Sequence, residues 1–342
     1  MYPVSQPDIT ELEKQYAFDA IQSGWISSRG KYIQKFEESF AHYNGMNYGV
    51  ACNSGTNALF LALKALGIKE GDEVIVPEFT MVATAWAVTY CGATPVFVDC
   101  THNLTIDVNQ IEEAITPRTK AIMPVHIYGR QCGMESIKQI AYEYNLYIVE
   151  DIAEGHGIMP TGDIGCYSFY GNKIITTGEG GMCVTNNKRL AEQMDHLRSM
   201  AFDKDHVFHH KKVGFNFRMT NIQAAIGCGQ TERLDDILAK RSQISAWYNK
   251  HLKKKFHMPK RDVTWMYDIF VYDQERAVRE LSKQGIETRL FFKPMSMQPM
   301  YYNEKYTETN AYFWSQHGIY LPTYNTLTEE DIKFIASKVN KL

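Results

Sequence analysis

The sequence predicts an α/β protein, with a large α/β/α domain on a mixed, mostly parallel sheet and a smaller α+β domain at its C-terminal end. Its 342 residues exceed what one small core needs and fit two domains. Between about residues 50 and 190, short β-rich runs alternate with helical stretches, and several runs are almost continuously apolar. Such runs indicate strands that helices cover on both faces of a largely parallel sheet.

The first helix begins at a capping signal near the N-terminus. Thr10 and Glu13 have the spacing of a capping box, apolar side chains follow at helical intervals, and Gly24 provides a stop. The β-rich runs predict the strands of the large domain. These strands span 73–76, 95–99, 121–126, 146–150, 166–169 and 182–185.

A second capping box, at Thr220 and Gln223, opens a long helical region that runs towards Tyr248. We interpret this region as the bridge between a large domain of residues 1–235 and a small domain of residues 236–342. The predicted elements of the small domain are a strand at 269–272 and helices at 274–284 and 329–341.

Composition argues against several classes of protein. Lys and Arg total 36 against 39 Asp and Glu, so no basic excess is present to neutralise nucleic-acid phosphates. Seven Cys without CxxC spacing are typical of reduced thiols in a cytoplasmic enzyme. The N-terminus has no signal-peptide pattern, and no apolar run approaches the ~20 residues of a membrane span. The sequence therefore predicts a cytoplasmic protein that binds neither nucleic acid nor membrane.

The segment 53–57, Asn-Ser-Gly-Thr-Asn, directly precedes the apolar helical run 58–63. A Gly-containing turn at a helix N-terminus exposes backbone N–H groups at the positive end of the helix dipole, which favours a bound phosphate. The same residues also suit a plain helix cap, and the segment alone does not decide between the two interpretations.

A second feature is an apolar run that ends in two acids, Glu150 and Asp151. Ligands of open α/β sheets bind outside the C-terminal ends of the strands, so carboxylates there are well placed for a cofactor. A buried carboxylate keeps the pyridine nitrogen of a cofactor such as pyridoxal phosphate (PLP) protonated. Taken alone, Asp151 is more simply explained as a helix cap.

A third feature is Lys173, which follows the apolar run 166–169 and precedes a Gly-rich turn at 176–181. A Lys on such a loop can form a Schiff base with a cofactor, and its amine can serve as a base once displaced. Because a Lys near a turn is ordinarily solvent-exposed, only the combination with the other two features favours a PLP site.

Residues 168–181 closely resemble the lysine segment of the DegT/DnrJ/StrS family of sugar aminotransferases. Further segments that follow the family's order are 25–30, 53–57, 71–77, 92–99, 125–129, 150–157, 214–221 and 286–289. The resemblance covers nearly the whole chain. It implies a fold-type-I PLP aminotransferase, whose cofactor passes through pyridoxamine phosphate, and a nucleotide-linked keto sugar and L-glutamate as substrates.

The resemblance also assigns roles to individual residues. Lys173 is the residue that carries the cofactor and moves the proton, and Asp151 pairs with the pyridinium nitrogen. Glu154 lies near the ring oxygen or the sugar. The residues assigned to the cofactor phosphate are Gly55, Thr56 and Ser168.

Two further assignments concern the edges of the site. The family completes its site from a second subunit, so the resemblance implies a homodimer in which Asn216 reaches the partner's cofactor. The family usually has an aromatic residue on the PLP ring at the position of Met81. The Met81 thioether can pack on a ring face, and Phe79 and Trp86 are alternatives for the stacking role.

The substrate prediction rests on Glu154 and on segments 25–30, 32–37 and 286–289, which look closest to family members that make GDP-perosamine. They imply amino transfer to C4 of GDP-4-keto-6-deoxy-D-mannose. The nearest alternative is a 4-aminotransferase acting on dTDP-4-keto-6-deoxyglucose, of the dTDP-viosamine type. A remote alternative is a non-catalytic PLP-binding regulator of the same fold. Lys173 argues against a sugar dehydratase, and the missing GxGxxG motif argues against a dinucleotide-binding oxidoreductase.

The histidines do not indicate a metal site. His126 lies at a predicted strand end, where packing is favoured over substrate contact. His206, His209 and His210 lack accompanying Cys or acidic ligands and are interpreted as a polar loop.

Overall fold

Seven strands between residues 48 and 185 form one mixed sheet in the computed structural model. The structure describes residues 1–202, 208–303 and 309–342. The strands are β1 Tyr48–Cys52, β2 Glu73–Pro77, β3 Thr94–Val98, β4 Thr119–Ile122, β5 Tyr147–Asp151, β6 Ile164–Ser168 and β7 Gly181–Thr185. Their spatial order is β1-β7-β6-β5-β4-β2-β3. β7 pairs antiparallel with β1 and β6, and the other pairs are parallel. The predicted α/β class is confirmed.

Helices precede, separate and follow these strands. In chain order they are α1 Glu11–Gln22, α2 Lys31–Tyr43, α3 Gly55–Ala65, α4 Val82–Tyr90, α5 Met134–Tyr144, α6 Lys188–Arg198, α7 Asn221–Glu232, α8 Leu234–His251, α9 Gln274–Ser282, α10 Asn310–His317 and α11 Glu329–Val339. Across the described ranges, none of them is both long and apolar enough to cross a membrane.

All six strands predicted for the large sheet are present, with ends that differ by at most four residues. β2, β6 and β7 are buried along their whole length, because helices cover both faces of the sheet. β1 was not predicted from the sequence. Its first two residues, Tyr48 and Gly49, are half-buried and do not extend the apolar run Val50–Cys52.

A second, antiparallel sheet lies in the C-terminal part of the chain. Its strands are β8 Tyr267–Phe270, β9 Arg289–Leu290 and β10 Gly318–Leu321, in the order β8-β10-β9. β8 starts two residues before the predicted strand and ends at Phe270, and Tyr272 is exposed beyond it. The predicted domain boundary after residue 235 falls in the first turn of α8 and stays a prediction.

The predicted long helical region is two helices, because the chain breaks at Arg233 between α7 and α8. Arg233 has φ −106° and ψ 6°, outside the helical range. Its guanidinium contacts two acids of the N-terminal segment, Asp8 and Glu13, each at 2.8 Å. Both predicted capping boxes, at Thr10 and at Thr220, are confirmed.

A seam of hydrogen bonds joins the loop after β4 to the segment before β8. The Gly129 carbonyl accepts from the N–H groups of Asp262 and Val263, each at 3.0 Å. Gly129 has φ +76°, and a Cβ there would lie 2.1 Å from the Val263 oxygen. The position therefore requires glycine both for its backbone angle and for the close approach of the two segments.

Two guanidinium groups meet the buried Asp268 carboxylate beside this seam. Arg130 lies 2.7 Å from one oxygen, and Arg261 lies 2.5 Å from the other. Burial alone raises the pKa of Asp268, but the two guanidinium groups hold it below its usual range. Asp268 is therefore a buried anion that fixes the start of the second sheet against the first.

We expect Asp268→Ala to destabilise the protein by about 3–5 kcal/mol, because two buried cations lose their shared counter-ion. Urea unfolding measures this free energy. Glu280→Ala, which removes a surface ion pair with Lys283, is the matched control and should leave stability almost unchanged. Equal effects of the two substitutions would contradict the assignment.

Candidate active site

A cavity of about 350 Å³ opens at the carboxyl ends of β2, β5 and β6, beside the N-terminus of α3. Every site residue predicted from the sequence lines it, except Asn216. Parallel strands bring their carboxyl ends to one edge, and this edge is where ligands of open α/β sheets bind.

One end of the cavity is a cradle of backbone amides at the start of α3. The Ser54 side chain caps this helix by accepting from the Asn57 N–H at 3.2 Å. The N–H groups of Gly55 and Thr56 precede the first intrahelical bond, so they can donate to an anion. A Cβ on Gly55 would lie 2.6 Å from the Ser168 Cβ. Gly55, Thr56 and Ser168 are thus brought together, as a phosphate site requires.

The Asp151 carboxylate lies at the end of β5. One oxygen accepts from the Thr84 hydroxyl at 2.8 Å and the other from the Ala153 N–H at 3.1 Å. Thr84 was not predicted as a site residue, because its role depends on how α4 packs beside β5. Burial raises the pKa of the Asp151 carboxyl, so a cationic ring nitrogen beside it would offset the unfavourable burial of its charge.

Lys173 lies on the loop that follows β6, with a side chain that is 12% exposed. Its backbone N–H donates to the Tyr170 carbonyl at 2.9 Å, which closes a tight turn. Its Nζ atom lies 3.6 Å from Glu154 Oε1 and 4.4 Å from the centre of the Trp265 ring. The lysine amine is therefore directed into the cavity and held between a carboxylate and an aromatic face.

Glu154 is almost fully buried and is oriented by a strained backbone. The Tyr128 N–H donates to Glu154 Oε2 at 2.9 Å. Tyr128 has φ 50°, a left-handed conformation that is unfavourable for a large side chain by roughly 1–3 kcal/mol. Burial raises the pKa of the Glu154 carboxyl to about 7, although the Lys173 charge acts in the opposite direction.

The opposite wall of the cavity is aromatic and was not predicted. Trp265, Phe292 and Tyr320 line it, and they come from the C-terminal part of the chain. The Trp265 indole N–H donates to the Asn172 carbonyl at 2.8 Å, directly before Lys173. No local pattern around Trp265 distinguishes it from a core residue, so its role follows only from the tertiary contact.

The stacking role that the sequence assigned to Met81 stays a prediction. Met81 precedes α4, lines the cavity and is 48% exposed. The two alternatives are not in the cavity lining. Phe79 is fully buried against Tyr128 and Phe291, and Trp86 contacts Tyr90.

Asn216 lies outside the cavity of its own chain. Phe215 and Phe217 stack on each other at 4.9 Å and pack against Phe60, so Asn216 between them is directed outwards and is exposed. Its side-chain oxygen accepts from Arg218 Nε at 3.1 Å. The predicted contact of Asn216 with a partner's cofactor stays a prediction.

Of the predicted histidines that the structure describes, His126, His209 and His210 are not part of the cavity lining. His126 is fully buried, and its Nε2 lies 2.8 Å from Glu150 Oε2, so packing is confirmed. His210 Nδ1 lies 2.9 Å from the Met200 carbonyl, whereas His206 is outside the described residues.

The model of the DegT/DnrJ/EryC1/StrS aminotransferase family matches residues 7–340. The chain belongs to this family. Two aminotransferase-family relatives, from Caulobacter vibrioides and Escherichia coli O157:H7, are each named GDP-perosamine synthase. Both are 42% identical to this chain and cover 99% of it, with 97% and 98% of their own lengths aligned. The PLP form of Spr1654 from Streptococcus pneumoniae has a TM-score of 0.92 at 28% identity, over 99% of this chain and 97% of that one.

Aminotransferases of this family depend on PLP, so the predicted enzyme class and cofactor are confirmed. The residues present fit the cofactor. The amide cradle at Gly55 and Thr56 suits a phosphate, and the buried Asp151 carboxylate suits a cationic ring nitrogen. Lys173 lies in the same cavity, where its amine can hold the cofactor.

We expect Trp265→Phe to weaken PLP binding about 5-fold, because it loses one hydrogen bond of ~1 kcal/mol beside Lys173 but keeps an aromatic face. Trp265→Leu removes the bond and the face, so it should weaken binding further. Absorbance titration with PLP measures both dissociation constants.

Trp247→Phe is the control, since its ring packs against apolar residues of the C-terminal part of the chain and does not line the cavity. Unchanged PLP affinity in both Trp265 variants would contradict the role of this residue.

Proposed function

We propose that this protein transfers the amino group of L-glutamate to C4 of GDP-4-keto-6-deoxy-D-mannose and so forms GDP-perosamine. The observation that supports the reaction class best is the Lys173 amine, on a side chain that is 12% exposed, in one cavity with the Asp151 carboxylate and the amide cradle of α3. The names of the two relatives at 42% identity support the choice of sugar.

Each residue has a distinct part in the proposed reaction. When bound, PLP supplies a ring that withdraws electrons from the reacting carbon. Asp151 keeps the ring nitrogen charged, and Gly55 and Thr56 hold the phosphate through their N–H groups. Lys173 moves the proton at its Nζ atom as general base and then acid. The aromatic wall excludes water around that amine and strengthens its interactions.

We propose further that the active protein is a homodimer in which Asn216 of each chain reaches the partner's cofactor phosphate. Its exposed position, and the outward direction that the flanking phenylalanines impose, support this arrangement. A cytoplasmic location is also proposed. All seven cysteines are free and buried, which is typical of proteins in reducing compartments.

We expect conversion of GDP-4-keto-6-deoxy-D-mannose, with PLP and L-glutamate present, to a product that HPLC separates from its substrate. dTDP-4-keto-6-deoxyglucose should remain unconverted. Lys173→Ala should abolish conversion, because the amine that holds the cofactor and moves the proton is lost. Conversion of the dTDP sugar alone would favour the viosamine-type alternative, and PLP binding without conversion of either sugar would favour a regulator.

The shared site predicts complementation between two inactive variants. Lys173→Ala and Asn216→Ala should each be nearly inactive alone. After the subunits are mixed and reassociated, about a quarter of the wild-type activity should return, because half of the dimers are mixed and each has one intact site. A mixture as inactive as its components would contradict the role of Asn216 across the interface.

A further inference from the structure

We propose that Glu154 is the acid–base partner of Lys173. The Oε1 atom of Glu154 takes the proton from the lysine amine and later returns it. This inference rests on the proposed aminotransferase function. It adds a second proton-transferring residue to that site, beside the lysine.

The geometry singles out one carboxylate for this exchange. Glu154 Oε1 lies 3.6 Å from Lys173 Nζ, and the two side chains are 4% and 12% exposed. Within residues 1–202, 208–303 and 309–342, no other carboxylate oxygen lies within 4.0 Å of Nζ. Among the described residues, Glu154 is therefore the one carboxylate close enough to exchange a proton with the lysine amine, which has little access to solvent.

The two oxygens of Glu154 have different environments. Oε2 accepts from the Tyr128 N–H, whose direction is set by the left-handed backbone of that residue. Oε1 faces Lys173. Asp151 differs, because both of its oxygens accept from neutral donors, Thr84 and Ala153. Asp151 is thus fixed in place, whereas Glu154 has one oxygen directed at the lysine amine.

The remaining groups around Glu154 also favour proton exchange. Asp151 contributes a like charge, and the hydroxyls of Tyr128 and Tyr320 are within electrostatic range. Because burial disfavours separated charges, it lowers the free-energy cost of moving a proton from the amine to the carboxylate. Burial accordingly raises the pKa of Glu154 to about 7, near the pH at which acid–base exchange is most effective.

The step is balanced and needs no other reactant. An N–H bond of the Lys173 ammonium breaks, an O–H bond forms at Glu154 Oε1, and the two charges cancel. The lysine nitrogen then has a lone pair with which to accept a proton from the substrate carbon. After the lysine has passed the substrate proton on and is neutral again, the first proton returns from Oε1 and the ion pair is restored.

The direction of the pH dependence follows from this step. Glu154 must be ionised to accept the proton, so the half-reaction with L-glutamate should slow as the pH falls through about 7. In Glu154→Gln the amide oxygen can still accept from the Tyr128 N–H. This variant should lose the acid limb of the pH profile and react at least ~10²-fold more slowly. Stopped-flow absorbance of the PLP-loaded protein measures the rate.

Two further variants distinguish the effect of the Glu154 charge from the effect of its side-chain length. Glu154→Asp keeps a carboxylate but shortens it by one methylene, so it should retain an acid limb at a reduced rate. Glu135→Gln, at a carboxyl that is 92% exposed on α5, should behave as wild type. Retention of the wild-type acid limb and rate in Glu154→Gln would overturn the proposal.

Infrared difference spectroscopy of the cofactor-free protein tests the same group without turnover. We expect the protonated-carboxyl absorption that titrates near pH 7 to be smaller in Glu154→Gln than in the wild type. The absorption that remains belongs to Glu78, whose pKa burial also raises to about 7. Equal absorption in both proteins would refute Glu154 as the exchanging group. Wild-type protein that is inert towards L-glutamate would count against the proposed function alone, because the infrared band still decides the role of Glu154.

Discussion

The burial of charge at the carboxyl edge of the large sheet is the constraint that organises this protein. Asp151, Glu154 and Lys173 lie together there with little access to solvent. Buried charges are stable only when neighbouring groups hydrogen-bond or neutralise them. α4 supplies a hydroxyl to Asp151, and a strained tyrosine backbone supplies an N–H to Glu154. The surroundings of the acids are thus built from several elements of the fold.

The C-terminal part of the chain completes the site from the other side. Trp265 contacts both the lysine amine and the backbone before it. Its own carbonyl accepts from Arg241 of α8 at 2.9 Å. The Asp268 cluster and the Gly129 seam hold the preceding segment against the large sheet. The contacts that hold the C-terminal part of the chain against the large sheet therefore also help to place Trp265 beside Lys173.

The two ends of the cavity differ in the groups that line them and in their exposure. At the phosphate end, the backbone amides at the start of α3 can bind an anion. This arrangement does not require a cationic side chain beside Lys173. At the open side, Met81 and Tyr170 are 48% and 50% exposed. In the proposed homodimer a second subunit would cover that side, and its Asn216 would add a side chain to the amide cradle at the phosphate end.

Local sequence determined the six large-sheet strands, the capping boxes at Thr10 and Thr220, and the motifs around Lys173, because each depends on neighbours within a few residues. Only the tertiary structure decided the helix break at Arg233 and the place of Trp265. Arg233 pairs with Asp8 and Glu13 far along the chain, and Trp265 lies 93 residues from Asn172, whose carbonyl it contacts. Periodicity and spacing carry no signal for contacts between side chains that folding alone brings together.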